Sequence, residues 1–391
     1  CIGIALWRGR LDEMARALRP SWRWIAVTEA LFLAGFLFFA FVRALNPDLW
    51  HSSASGEKTF DLAFFTAVIK SSHFPPYDPW FAGGYINYYY FGWVVFGSIA
   101  HLTGIVPSVA YNLAVATTFA LVAVNAWIVC ATVITFLPRP WKPRSTWTPI
   151  AAGVIGAIFY AVIGNLDLAR RIAANNWDPN MPAPAGLRGA ATIARQIGQG
   201  TWDGLFRISG IPLDGYFSPT LLIPGAINEF PYFTFLHADL HPHLMAMPFT
   251  LLALIVGLAF AASPAWPRDA AAHPTERRPP LGLGMPVRAW LRSLPRRHVL
   301  DRCGLIALAA IASGALYPLN SWDYPTYLVA LLGFIVLIDL LGSLHDPESS
   351  PPLWTFSYRA LRRVVVSWGG MVLLGALIFL PFSRSFWPLT T

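Results

Sequence analysis

Long apolar runs, not short alternating patterns, organise this chain. The runs are long enough to cross about 30 Å of hydrocarbon as helices, and they lack the two-residue alternation of a half-buried strand. The sequence therefore predicts an all-α polytopic membrane protein, with one transmembrane domain over residues 1–391 and about seven transmembrane helices. We place these helices at 22–45, 109–137, 148–164, 244–262, 303–318, 326–344 and 365–381.

A further apolar stretch, residues 86–105, is interrupted by three tyrosines, His101 and several glycines. If this stretch does not cross the membrane, most Lys and Arg residues fall in loops on one side, as the charge asymmetry of membrane proteins predicts. If it does cross, every later loop changes side. We therefore expect residues 86–105 to form a juxtamembrane or re-entrant helix that lies against protein.

This topology gives each loop a side. The N-terminal segment and the basic, proline-rich linker 263–302 are expected in the cytoplasm, and loops 46–108 and 165–243 on the outer face of the cell (inner or plasma) membrane. The linker composition is typical of a flexible segment. The first residues, CIGIALW, resemble the end of a preceding helix, so we expect a fragment of a longer protein, whose remainder is then a partner. The oligomeric state is left open.

Composition agrees with a lipid environment and argues against a nucleic-acid-binding protein. Hydrophobic residues make up 55% of the chain and charged residues 12%, with a mean hydropathy of +0.51, whereas a soluble domain carries about 25% charge. The net charge of +8 does not indicate nucleic-acid binding, because the positive residues are separated by apolar runs and form no continuous basic face. Membrane lipids are the expected surroundings.

Acidic residues in the first outer loop are the first candidates for chemistry. Glu57 and Asp61 are four residues apart and share a face if the segment is helical. Carboxylates held at an interface beside a cavity acquire a raised pKa and can act as general bases. The alternative is a solvated helix start, in which both carboxylates stabilise the first turn.

Aromatic and polar residues follow in the same loop. Asp78 lies in a proline-rich turn, and Asn87 precedes the tyrosine triplet Tyr88, Tyr89 and Tyr90. Neighbouring residues on a helix point about 100° apart, so one or two of the tyrosines can contact a polar headgroup while the third packs. The alternative is a belt of interfacial anchors.

The segment before the span at 244–262 contains His237, Asp239, His241 and His243. Histidine and aspartate suit a divalent metal or an anionic substrate, although the spacing matches no standard zinc motif. Helix capping is the third interpretation. Two further outer-face residues are Asp323, a substrate ligand or helix cap, and Arg384, a phosphate ligand or interfacial cation.

Four motifs resemble the YYY-motif integral membrane proteins, namely GEKTFD (56–61), FPPYDPWFAGGYINYYYFGW (74–93), INEFPYFTFLHADLHPH (227–243) and NSWDYP (320–325). The layout is also similar to that of the C-type glycosyltransferases. That resemblance implies catalytic carboxylates at Glu57 and Asp61 and a lipid-phosphate-linked sugar donor. It also implies a metal position at Asp239, flanked by His237 and His241, for Mg²⁺ or Mn²⁺. The first outer loop lacks the adjacent Asp-Glu pair of some relatives, and the chain has no Asp-x-Asp motif.

These expectations together predict an inverting glycosyl transfer at the outer membrane face. Glu57, and after it Asp61, would deprotonate the acceptor, while His237, Asp239, His241, His243 and Arg384 would hold the lipid phosphate or a metal. Asp78, Asn87, the tyrosine triplet and Asp323 complete the candidate substrate site. Two other functions stay open, a transporter or channel with a polar path, and a non-catalytic scaffold subunit of a membrane complex.

Overall fold

The computed structural model describes residues 19–50, 56–137, 143, 145–164, 217, 220, 223, 228–262, 296–345 and 364–386. These residues are mostly helical and form no β-strand; an isolated antiparallel bridge joins Tyr77 and Tyr85. The predicted class, an all-α polytopic membrane protein, is confirmed. Most of the basic linker 263–302, most of loop 165–243 and most of the basic side chains used to orient the chain lie outside the described residues.

Twelve α-helices are numbered here in chain order over the described residues. A short π-helical segment, Phe159–Ile163, extends α5, and another, Val364–Gly369, precedes α11. The helices are α1 Trp22–Leu45, α2 Lys58–Lys70, α3 Phe91–Thr103, α4 Pro107–Thr135, α5 Trp147–Ile158, α6 Pro231–His237, α7 Pro242–Ala262, α8 Arg296–Gly314, α9 Leu316–Leu319, α10 Asp323–His345, α11 Gly370–Ile378 and α12 Leu380–Ser385.

Within the described residues, four helical stretches are long and apolar enough to cross a membrane. They are Trp22–Leu45, Pro107–Thr135, Pro242–Ala261 and Arg302–Leu319, and each coincides with a predicted span. The other three predicted spans coincide with shorter apolar helices at Trp147–Ile163, Asp323–Leu337 and Val364–Ile378.

The ambiguous stretch 86–105 is helical only over α3, Phe91–Thr103. Its 13 residues rise about 20 Å, which is less than the thickness of the hydrocarbon. The tyrosine triplet precedes the helix instead of opening it. A single helix of this length agrees with the expected non-spanning element, whose depth in the membrane stays a prediction.

The described helices divide into two compact units. The first contains residues 1–71 and 93–244, and the second contains residues 72–92 and 245–391. In the first unit, α4 packs against α1 and α5. Close helix approach is possible at Gly35, where a Cβ would lie 3.3 Å from Cα of Ala120. The Phe39 ring contacts those of Phe119 and Phe235 at 4.7 and 5.7 Å, so α6 is anchored on α1 and α4.

The second unit has its own apolar core, formed by α7, α8, α10 and α11. Trp368 joins this core and donates its indole N–H to the carbonyl of Leu328 at 2.9 Å. Two glycines let α8 and α11 approach closely, because a Cβ on Gly314 would lie 3.0 Å from Cα of Gly375. The buried core residues are Ala253, Val256, Phe260, Ala309, Ala310, Leu331, Ile335 and Met371. The prediction of one transmembrane domain stays a prediction.

Candidate functional site

The start of α2 carries the two acidic residues of the first outer loop. Gly56 precedes it with φ +58°, a conformation that favours glycine. Glu57 is the N-cap residue, and its carbonyl accepts the N–H of Asp61 at 2.9 Å. The helical prediction for this segment therefore holds, and one turn separates the two carboxylates on one face of α2.

The segment after α6 carries the second acidic position. Helix α6 ends at His237, and Ala238 adopts the left-handed conformation (φ 58°, ψ 39°) with its N–H bonded to the carbonyl of Thr234 at 3.0 Å. Two aromatic side chains then hold Leu240. Its N–H donates to the Tyr111 hydroxyl at 2.7 Å, and its carbonyl accepts the indole N–H of Trp93 at 2.9 Å. Asp239 is thus held in place, because its neighbours Ala238 and Leu240 both form hydrogen bonds.

These two segments meet in the first unit. The Glu57 N–H donates to Oδ2 of Asp239 at 3.1 Å, and Nδ1 of His241 lies 2.8 Å from Oε2 of Glu57. Ligand atoms of Asp61, Asp239 and His241 all lie within 4.8 Å of one another. We call Glu57, Asp61, His237, Asp239 and His241 the acidic–histidine cluster.

Asp61 is the most constrained member of the cluster. Its exposed fraction is 0%, and no donor among the described residues reaches either of its carboxylate oxygens. Burial raises the pKa of Asp61 well above its usual value, and Asp239 raises this pKa further, by its charge and as an acceptor for a protonated Asp61. The carboxyl pair can therefore hold one proton between its members, or two negative charges around a cation.

Glu57 and His241 form the accessible edge of the cluster. The Glu57 side chain is 59% exposed, and burial of the remainder, together with the charge of Asp239, raises its pKa. Burial and the charge of His243 lower the pKa of His241 to about 4. His241 is therefore neutral at pH 7, and its contact with an ionised Glu57 is a hydrogen bond donated by Nδ1–H.

The other two histidines have different neighbours. Nε2 of His237 lies 3.8 Å from Oδ2 of Asp239, and its ring stacks on Phe233. Burial and the charge of Lys58 lower the pKa of His237. Nε2 of His243 lies 3.7 Å from the Glu229 carboxylate. Of the predicted metal ligands, Asp239 and His241 lie together with Asp61. His237 is not part of this group.

Two buried polar residues of the site carried no sequence signal that we used. Tyr111 is fully buried in the second turn of α4, and besides holding Leu240 its hydroxyl lies 3.5 Å from Oδ1 of Asp239. Lys58 is 8% exposed, and burial together with the charge of Arg43 lowers its pKa. The position of Lys58 beside Glu57 in GEKTFD was the one available hint.

The remaining predicted site residues lie in the second unit. Oδ1 of Asp78 accepts the N–H of Trp80 at 2.7 Å within a tight turn. Oδ2 of Asp323, the first residue of α10, accepts a hydrogen bond from the side-chain Nδ2 of Asn320 at 3.0 Å. These contacts give both carboxylates a local structural role.

The tyrosine triplet of the second unit packs on α12, which also carries Arg384. The Tyr89 hydroxyl lies 2.8 Å from Oγ of Ser321, and the Tyr90 ring lies 5.1 Å from that of Phe382. Tyr88 contacts Tyr89 with ring centroids 5.3 Å apart. Tyr90 is buried and packs, while its two neighbours are partly exposed. The triplet lies before α3, so the helical angular spread used in the prediction does not apply to it. Asn87 comes directly before the triplet.

The chemistry of the cluster fits a divalent cation. Two carboxylates and one imidazole suit Mn²⁺, and the carboxylates alone suit Mg²⁺. The two buried oxygens of Asp61 without a donor are what such an ion would complete. Asp61, Asp239 and His241 would then be its protein ligands.

Comparison with known proteins gives a family and no activity. No curated protein and no solved structure matches the chain. A family described as uncharacterized membrane protein (DUF2298) matches residues 1–391. The apolar helices and the full-length match agree, and the chain belongs to this family of membrane proteins.

Proposed function

We propose that this protein is a glycosyltransferase that moves a sugar from a lipid-phosphate-linked donor to an acceptor hydroxyl at the outer face of the membrane. The observation that carries the proposal is the buried Asp61 carboxylate, held beside Asp239 and His241 without a donor of its own. Burying a carboxylate this way is costly unless a ligand completes it. An acidic site at the end of a membrane-spanning helix suits a reaction between a lipid-linked donor and a polar acceptor.

Glu57 is the general base in this proposal. Its carboxylate is exposed enough for an acceptor to approach, its raised pKa makes it a better proton acceptor, and His241 holds one of its oxygens. The acceptor hydroxyl gives its proton to Glu57 as its oxygen forms a bond to the anomeric carbon. The bond from that carbon to the phosphate oxygen breaks with inversion, and the lipid phosphate leaves with the electron pair.

Asp61, Asp239 and His241 would hold a divalent cation that neutralises charge on the leaving phosphate. Tyr111 and Trp93 keep this ligand set in place through Leu240, and the Glu57 N–H orients Asp239. Positioning and charge stabilisation of this kind each contribute on the order of 10²–10³-fold to a rate.

The test uses the full chain in nanodiscs with a panel of radiolabelled polyprenyl-phosphate sugars and a membrane extract as acceptor. Release of polyprenyl phosphate is measured for the wild type and for Glu57→Gln and Asp61→Asn. We expect each substitution to lower the rate about 100-fold or more. Glu29→Gln, an exposed carboxylate on α1, is the matched control and keeps the wild-type rate.

Two results would end the proposal. One is near-wild-type release in both cluster variants. The other is cation or proton flux in liposomes that Asp61→Asn abolishes while no donor is consumed, since a carboxyl pair that holds a proton is also suited to transport.

A further inference from the structure

Arg43, in the last turn of α1, is a buried cation whose hydrogen bonds are only partly satisfied. Its exposed fraction is 5%, and its Nε donates to Oδ1 of Asn112 at 2.8 Å. Asn112 is itself held, because its amide nitrogen donates to the carbonyl of Ser108 at 3.0 Å. The Nη2 atom of Arg43 finds no acceptor among the described residues. The Nε side of the guanidinium is therefore fixed, while the N–H donors of Nη2 have no acceptor among the described residues.

A second buried cation lies close to the first. Lys58 begins α2 directly after Glu57, whose N–H donates to Asp239. Arg43 donates to Asn112, the chain neighbour of Tyr111, whose hydroxyl lies 3.5 Å from the same Asp239. Burial and the charge of Arg43 lower the pKa of Lys58. Neither cation forms an ion pair with a carboxylate among the described residues, although the charge of Asp48 attracts both cations and that of Asp239 attracts Lys58. Two neighbouring buried cations repel each other and have lost their hydration. An anion between them would relieve both costs.

We infer that Arg43 and Lys58 bind a phosphate group beside the acidic–histidine cluster. The guanidinium fork matches two phosphate oxygens, and an ammonium adds a point charge. Asn112 fixes the plane of the fork, so little side-chain entropy is lost when the ligand binds. The location at the end of a membrane-spanning helix suits a lipid phosphate, and Lys58 directly follows Glu57, so the two cations lie beside the cluster.

The identity of the ligand as the donor phosphate rests on the proposed function, while the phosphate site itself does not. If the ligand is the donor phosphate, residues of α1 and α2 in the first unit bind the leaving group. Arg384, the cation that the sequence suggested for this role, belongs to the second unit.

The experiment measures binding of a radiolabelled polyprenyl monophosphate to the full chain in detergent, with inorganic phosphate and the corresponding polyprenol as competitors. We expect Arg43→Gln and Lys58→Gln each to weaken binding about tenfold or more. Arg43→Lys keeps the charge and loses the fork, so its affinity should fall between those of the wild type and Arg43→Gln. Arg23→Gln on α1 and Lys70→Gln on α2 are matched controls and keep wild-type affinity.

Competition by inorganic phosphate would show that the anion alone is recognised. Saturable binding of the lipid phosphate that inorganic phosphate does not displace would show that the headgroup needs its chain. Both results support the site. Equal competition by the polyprenol, or wild-type affinity in both glutamine variants, would overturn it. Asp61→Asn separates the two proposals, because it should abolish transfer and retain phosphate binding. Loss of transfer with unchanged binding in Arg43→Gln and Lys58→Gln would remove the phosphate site and leave the proposed function standing.

Discussion

The backbone N–H of Glu57 donates a hydrogen bond to Oδ2 of Asp239 over 3.1 Å, although 182 positions separate them in the sequence. The bond joins the start of α2 to the loop after α6, and it places a carboxylate at the positive end of a helix dipole. Asp239 therefore has a donor and a favourable field. Asp61, in the first turn of α2, shares the favourable field but has no hydrogen-bond donor among the described residues.

The first prediction concerns the pH dependence of stability. The folded-state pKa of Asp61 is raised, so the folded protein binds more protons than the unfolded chain at any pH between the two pKa values. Stability should therefore fall as the pH rises above about 4 and through the folded-state pKa. Asp61→Asn should raise the apparent Tm at neutral pH by several degrees and flatten this decline, as measured in detergent with a chelator present.

His241 acts in the opposite sense over part of that range. Its pKa is lowered to about 4, so the folded protein binds fewer protons than the unfolded chain between about pH 4 and pH 6.5, and stability rises with pH there. The comparison is therefore made above about pH 7.5, where His241 is almost entirely neutral in both states. Glu29→Gln should leave the profile unchanged; a wild-type decline that persists in Asp61→Asn would contradict the assignment.

The second prediction concerns the space at Gly56. A Cβ at this position would overlap Nε2 of His237 and lie 3.3 Å from Oδ2 of Asp239. Gly56→Ala should therefore displace the His237–Asp239 segment and reduce transfer at least tenfold. Gly104→Ala is the matched control, because Gly104 also has a positive φ of +70° but has nothing within 4 Å of its added Cβ.

Both alanine variants bear the same kind of backbone strain, on the order of 1 kcal/mol, so a similar fall in Tm is expected from that cause. The steric overlap should make the loss of activity specific to Gly56→Ala. Equal activity in the two variants would mean that the cluster does not need the close approach.

The third prediction concerns metal binding. If Asp61, Asp239 and His241 form a cation site, Mn²⁺ should raise the Tm of the wild type at pH 7.5, because a ligand that binds only the folded state stabilises it by about 2.7 kcal/mol at 100 times its Kd. Asp61→Asn and His241→Gln should lose most of this increase, while His237→Gln, whose ring is not grouped with these ligands, should keep it. An equal Tm increase in all variants would place the ion elsewhere.

The membrane helices were predictable because the length of an apolar run fixes them. The predicted span 22–45 and helix Trp22–Leu45 coincide, and the predicted 244–262 differs from α7 by two residues at its start. The interruption at Ala315, between α8 and α9, was not predicted, since the sequence there stays apolar. An apolar sequence indicates that a segment lies in the membrane, but it does not indicate where the hydrogen bonds of a helix are interrupted.

The cluster was predictable in its members and not in its internal arrangement. Paired acidic and histidine residues in outer loops stood out by residue type. The left-handed turn at Ala238, which fixes the direction of the chain after His237, has no glycine to announce it, and Tyr111 and Trp93 hold that loop from distant parts of the sequence. The burial of Arg43 and Lys58 likewise depends on how helices pack, which periodicity does not report.

The most direct test of the account is a double-mutant cycle between Asp61 and Asp239. The apparent Tm is measured at pH 8, with a chelator present, for the wild type, Asp61→Asn, Asp239→Asn and the double variant. If the two carboxylates share one site, removing either charge relieves the same repulsion, and the effects of the single substitutions should fail to add, with a coupling of about 0.5–3 kcal/mol. Additive effects within error would mean that the start of α2 and the loop after α6 do not form a common site.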